Sequence, residues 1–114
     1  MKIINTTKNV ILADNVVVAQ TTVSRLKGLL FYKEFRNREA LIIKPCNSIH
    51  TFFMRFPIDV IFVGSNDKIL KIHQGIKPFK VTPVYFKSKF VIELPAGIVE
   101  ATNTTESDIL SIKA

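Results

Sequence analysis

Short aliphatic and β-branched runs, cut by Asn, Asp, Gly and Pro, recur along all 114 residues of the chain. Runs of this kind read as strands joined by tight turns. Ile3-Ile4 and Val10-Ile11-Leu12 flank a polar Thr7-Lys8-Asn9 turn, and Val16 to Ala19 follow the Asp14-Asn15 punctuation. Further strands are predicted at Leu41–Ile43, Ile49–Met54, Ile58–Phe62, Ile69–His73, Phe90–Leu94 and Ile109–Ile112. The period changes at Thr21-Thr22, an N-cap pair after which Val23, Leu26, Leu29 and Leu30 recur at helical spacing. A helix is expected there, with Gly28 inside it marking a close backbone approach. Lys33 to Glu39 reads as a charged loop, Gln74 to Pro83 as irregular, and Ile98 to Asn103 as a second, short helix. Many short strands with one clear helix predict a single α+β, mainly β domain over residues 1–114. Its antiparallel sheet would curl into an open barrel with the helix packed against it.

The most apolar stretch is also the one richest in reactive side chains. Pro45 to Val63 holds Cys46, His50, Thr51, Arg55 and Asp59 among Ile, Phe and Met residues. A polar or charged group in such surroundings must be hydrogen-bonded, paired or put to use, because leaving it bare costs several kcal/mol. A three-residue Arg55-Phe56-Pro57 connection would pair Met54 with Ile58, Phe52 with Val60 and His50 with Phe62 in a hairpin. In that register one face is apolar with His50 at its edge, and the other gathers Thr51, Asp59 and Arg55. Arg55 and Asp59 are then expected to form one hydrogen-bonded pair. His73 reads as a surface or edge histidine, and Arg25 as a cation on or beside the buried stripe of the helix.

Charge sharpens this picture. The formal net charge is +7, and Lys68, Lys71, Lys77, Lys80, Lys87 and Lys89 follow one another with no acidic residue between Lys68 and Lys89. Such a tract can be a solvated face or can meet an anionic partner. Nucleic acid is disfavoured, because arginine, the usual reader of phosphate forks and bases, is missing from the tract. Binding there would further require exposed aromatics such as Tyr85, Phe86 or Phe90 beside the lysines. A single cysteine cannot form an internal disulfide, and the N-terminus lacks the pattern of a signal peptide. No apolar run approaches the roughly 18 residues of a membrane span. The expectation is a cytoplasmic protein with no membrane partner.

Catalytic and metal chemistry find little support in the spacing. Cys46 and His50 would stand about 13 Å apart on a straight strand, so a nucleophile–base pair needs the Pro45–Ser48 segment to turn back. Zinc wants three or four ligands, and one Cys with two His does not supply them, so neither a metal nor a cofactor is expected.

Several blocks in order carry a family resemblance. These are Arg25, Gly28-Leu29-Leu30, Leu41-Ile42-Ile43, Cys46, Ile49-His50-Thr51-Phe52-Phe53-Met54, Ile58-Asp59-Val60-Ile61-Phe62 and Glu93-Leu94-Pro95-Ala96-Gly97. From about Ala19 to Ile112 the chain resembles the domain of unknown function 192 family, small single-domain prokaryotic proteins. The resemblance implies a compact, mainly β fold with a helix in the N-terminal third, and brings no activity, cofactor or catalytic residue. The family's Gly-Asp pair before the last strand is replaced here by Ser107-Asp108, which puts a tight glycine turn there in question.

The functional expectation is a binding domain rather than an enzyme. An anionic small molecule or peptide group, or a protein partner presenting one, would sit in a polar pocket near the central hairpin. Arg25 and Arg55 would supply charge, His50 and Thr51 hydrogen bonds, and Asp59 the orientation of Arg55. The alternatives are a hydrolase-type site using Cys46, His50 and Asp59, and weak nucleic-acid binding through the lysine tract.

Overall fold

The computed structural model of the protein describes residues 1–19, 35–52 and 54–114. Among the described residues the strands are β1 (Lys2–Asn5), β2 (Val10–Ala13), β3 (Asn15–Ala19), β4 (Glu39–Ile43), β5 (Ile58–Val63), β6 (Ile69–Ile76), β7 (Phe90–Pro95) and β8 (Leu110–Lys113), and Ile98–Ala101 form a short α-helix, α1. The helix expected from Thr22, with Arg25 and Gly28, lies outside the described residues.

Two sheets form, in the orders β2-β1-β8 and β3-β4-β7-β5-β6, and they do not close into a barrel. The mainly β, α+β class stands as expected. Pairing is antiparallel throughout except between β3 and β4, where Asn15 to Ala19 run parallel to Glu39 to Ile43. A parallel pair needs a crossover of a dozen or more residues, and residues 20–38 supply that length.

The central strands of the large sheet, β4, β5 and β7, are buried on both faces, which is why they are almost continuously apolar. Ile61 and Val63 of β5, with Ala40, Ile42, Ile92 and Leu94, face the small sheet and α1. Ile58, Val60 and Phe62, with Leu41, Ile43 and Val91, face Cys46, Ile49 and Met54. Every residue of β5 and β7 is buried. Each large side chain removed from water this way contributes about 1.5–3 kcal/mol.

The expected central hairpin does not form. Both edges of β5 are occupied, one by β6 and the other by β7, so no ladder remains for Ile49–Met54. That segment makes a lone antiparallel bridge instead, His50 to Val81. The expected alternation along β5 holds, but its hydrogen-bonding partners come from far along the chain.

Candidate functional site

Asp59 lies on the face of β5 turned toward α1, and it is 1% exposed. Its Oδ1 accepts from the Gly75 amide at 2.9 Å, and Oδ2 accepts from the amides of Gly97 at 3.1 Å and Val99 at 2.9 Å. Gly75 and Gly97 both have positive φ, +60° and +97°. Glycine reaches that region at no steric cost, and the irregularity within β6 and the turn after β7 aim their amides inward at one carboxylate. A carboxylate holding three backbone N–H groups is a structural clamp joining β5, β6 and the β7–α1 turn.

The expected Arg55–Asp59 pair is therefore corrected. Among the described residues the ion pairs are Lys8–Asp108, Arg38–Asp14 and Lys71–Glu106. Arg55 is exposed and stands at the opposite side of the sheet end, in a cleft of about 440 Å³ lined also by Phe35, Asn37, Phe56, Pro57, Pro95 and Ala96. Phe35 and Phe56 meet edge to face in its wall, ring centroids 6.1 Å apart, and both pack on the second core cluster.

Thr51 is buried and serves the fold as well. Its hydroxyl donates to the Lys77 carbonyl at 2.7 Å and accepts from the Lys80 amide at 3.0 Å, tying down the 77–80 loop. His50 is exposed and lies against Phe52, ring centroids 5.0 Å apart. Of the five candidate ligand residues, Arg25 is outside the described residues, Thr51 and Asp59 are committed to backbone, and His50 and Arg55 face solvent. Among the described residues, Arg55 lines the cleft, and His50, Thr51 and Asp59 are not part of its wall.

The hydrolase constellation is split in the same way. Cys46 is buried among the residues on one face of the large sheet, with Sγ donating to the Ser48 carbonyl at 3.1 Å. Asp59 projects from the other face with both oxygens engaged. Among the described residues no group of His, Cys, Asp or Glu is placed to hold a metal ion.

Glu93 is the residue that sequence reasoning passed over. It is 1% exposed, and its Oε2 has no hydrogen-bond partner. Strand alternation puts it on the face of Leu41 and Val60, its ladder neighbours on either side. Pro95 of the Arg55 cleft lies two residues on, on the same face, about 6–7 Å away along the strand. Burial without compensation pushes the Glu93 carboxyl from its ordinary 4.5 up to about 8, so it is protonated at neutral pH. The only signal in the sequence was one acid inside Phe90-Val91-Ile92-Glu93-Leu94. An amphipathic reading of that strand sends Glu93 to water, and only burial of both sheet faces overrides it.

Asp108 shows the reverse case. Burial would raise its pKa, but hydrogen bonds from Asn5, the Thr105 amide, Lys8 and the Thr105 hydroxyl outweigh it and hold the carboxyl down at about 2. The turn before it is formed by Ser107 at φ +77°, so a serine occupies a left-handed position that glycine would take without strain. His73, expected at a surface or edge, is half-buried, with Nε2 2.7 Å from the Tyr85 hydroxyl. Burial first, then repulsion from Lys71, lowers its pKa, against the pull of Glu106.

Residues 3–112 match the domain of unknown function 192 family, described as "Uncharacterized ACR, COG1430". The chain belongs to this family. A UPF0127 protein of Pyrococcus horikoshii is 34% identical over 105 residues, covering 87% of this chain and 88% of the relative. A UPF0127 protein of Pyrococcus furiosus is 33% identical over 113 residues, covering 94% of each. A crystal structure of a protein of unknown function from Novosphingobium aromaticivorans superposes with a TM-score of 0.82 over 97% of this chain and 82% of that one. A candidate transcription regulator from Sinorhizobium meliloti gives 0.80 over 96% and 89%. Both solved structures are 20% identical to this chain, a likeness of fold alone. Among the described residues, no helix is long and apolar enough to cross a membrane.

Proposed function

We propose that this member of the family is a binding domain that accepts an anionic group, of a small molecule or a peptide, in the cleft at the end of β5 and β7. Arg55 carries the reading. It is an exposed guanidinium on the cleft wall, and among the described residues no carboxylate pairs with it. A carboxylate or phosphate entering there would gain a forked, charge-assisted contact. The apolar part of the ligand would lie on Phe35, Phe56 and Pro95, the mix of apolar wall and few polar groups typical of ligand clefts. Asn37 adds an amide at the rim, and a protonated Glu93 on the same sheet face as Pro95 would offer a donor to a ligand reaching inward.

Calorimetric titration tests this with three probes: inorganic phosphate, succinate, and a short peptide with a free carboxyl terminus. At least one should bind wild-type protein, and Arg55→Gln should weaken it about tenfold or more while leaving the denaturation midpoint in place. Equal affinity in the variant, or no binding by any probe, would overturn the assignment.

A further inference from the structure

The second feature independent of the cleft is a ribbon that displays apolar side chains to water. Residues 47–51 run beside 80–85, with the Thr51 amide donating to the Lys80 carbonyl, the Thr82 amide to Ile49 and the Tyr85 amide to Asn47. Buried hydroxyls fix its base: Thr82 Oγ1 accepts from the Ile49 amide at 3.0 Å, and Ser88 Oγ donates to the Cys46 carbonyl at 2.9 Å. On this anchored frame Phe79 is 74% exposed, Val81 64% and Val84 48%. Phe86, at the tip of a turn closed by the Ser88 amide on Tyr85, is 89% exposed. Lys77, Lys80, Lys87 and Lys89 stand exposed among them with no acid in between.

We propose that this face docks on an anionic lipid bilayer, with Phe79 and Phe86 entering the headgroup–acyl boundary and the lysines lying against lipid phosphates. Three observations select a bilayer. Lysines without acids complement an anionic surface, and lysine serves such a surface as a point charge where arginine would read phosphate forks. Val81 and Val84 add aliphatic area, which a membrane interface uses and a stack of bases does not. The aromatic at the turn tip protrudes, whereas a face that takes a helical or proline-rich peptide needs a groove. The sequence argued against a membrane because no run is long enough to span one, but an interfacial contact requires no span. Of the aromatics expected beside the lysines, Phe86 is exposed, Tyr85 is half-buried on His73 and Phe90 is buried, so these three do not form a stack of adjacent rings for single-stranded nucleic acid.

Co-sedimentation of the full chain with vesicles decides the matter. Vesicles of phosphatidylcholine with about 30% phosphatidylglycerol should carry the protein down at roughly 0.1 M salt, and pure phosphatidylcholine should not. Phe79→Ser with Phe86→Ser should reduce the bound fraction about tenfold, and Lys80→Gln with Lys87→Gln by about fivefold per lysine. All four sites are exposed, so unchanged urea midpoints will confirm that the fold persists. Absence of binding to the anionic vesicles, equal binding to both lipids, or indifference to the phenylalanine changes would overturn the proposal. So would retention of an oligothymidine that these same substitutions abolish while vesicles are ignored.

Discussion

Replacing Glu93 by Gln should make this protein more stable at neutral pH, and the size of the gain follows from the burial of one carboxyl. The folded-state pKa of about 8 lies above the ordinary 4.5, so between those values the unfolded chain has released a proton that the native state retains. Stability therefore falls as pH rises through this window, by about 1.4 kcal/mol per unit for one such group. Near pH 7 the wild type has lost about 3 kcal/mol to Glu93, and below about pH 5 less than about 1 kcal/mol. Glutamine keeps the shape and the neutral polarity without the titration. Urea unfolding of both proteins at closely spaced pH values between about 4.5 and 8 gives the difference directly, since every other titrating group cancels in the comparison. The two stabilities should converge at the acid end and part steadily as pH rises, the variant above. A constant gap is the opposing outcome, because it would mean a carboxylate ionised and satisfied in the fold.

Three further expectations concern groups fixed by the backbone. Asp59→Asn leaves one oxygen and one amide nitrogen facing three N–H donors, so chemical denaturation should show a loss of about 2–4 kcal/mol. An effect under half a kcal/mol or so would remove Asp59 as the clamp. Ser107→Gly relieves a left-handed serine at some cost in unfolded-chain entropy, for a net gain of about 0.5 kcal/mol in the same assay; a clear loss would count against strain at that turn. Thr51→Val strips the 77–80 loop of its hydroxyl tie and should cost about 1–2 kcal/mol, with faster amide exchange at Lys80 as the local signature.

The strands were legible because β-branched runs between polar breakers are governed by local chemistry. β1, β2, β3, β4, β6 and β7 begin or end within a few residues of where the pattern places them. What local pattern cannot state is who pairs with whom. Ile49–Met54 and Ile58–Phe62 look like a hairpin because they adjoin, yet β5 is claimed by β6 and by a β7 that lies thirty residues on. The polar residues followed the same rule. Asp59 is an acid in an apolar run and had to find partners, but those partners are amides of Gly75, Gly97 and Val99, which no spacing near Asp59 announces. Glu93 was visible only once both faces of its strand proved buried. Arg55 survives as a candidate because the sequence placed it at a turn, where a long cation stays in reach of water.

Amide NMR shift mapping with phosphate or a short carboxylate shows whether Arg55 marks the entrance of an anion site. Saturable shifts confined to Phe35, Asn37, Arg55, Phe56 and Ala96 are expected, disappearing in Arg55→Gln. Shifts that spread along Lys77 to Lys89 instead, or that persist unchanged in the variant, would contradict an anion site at Arg55.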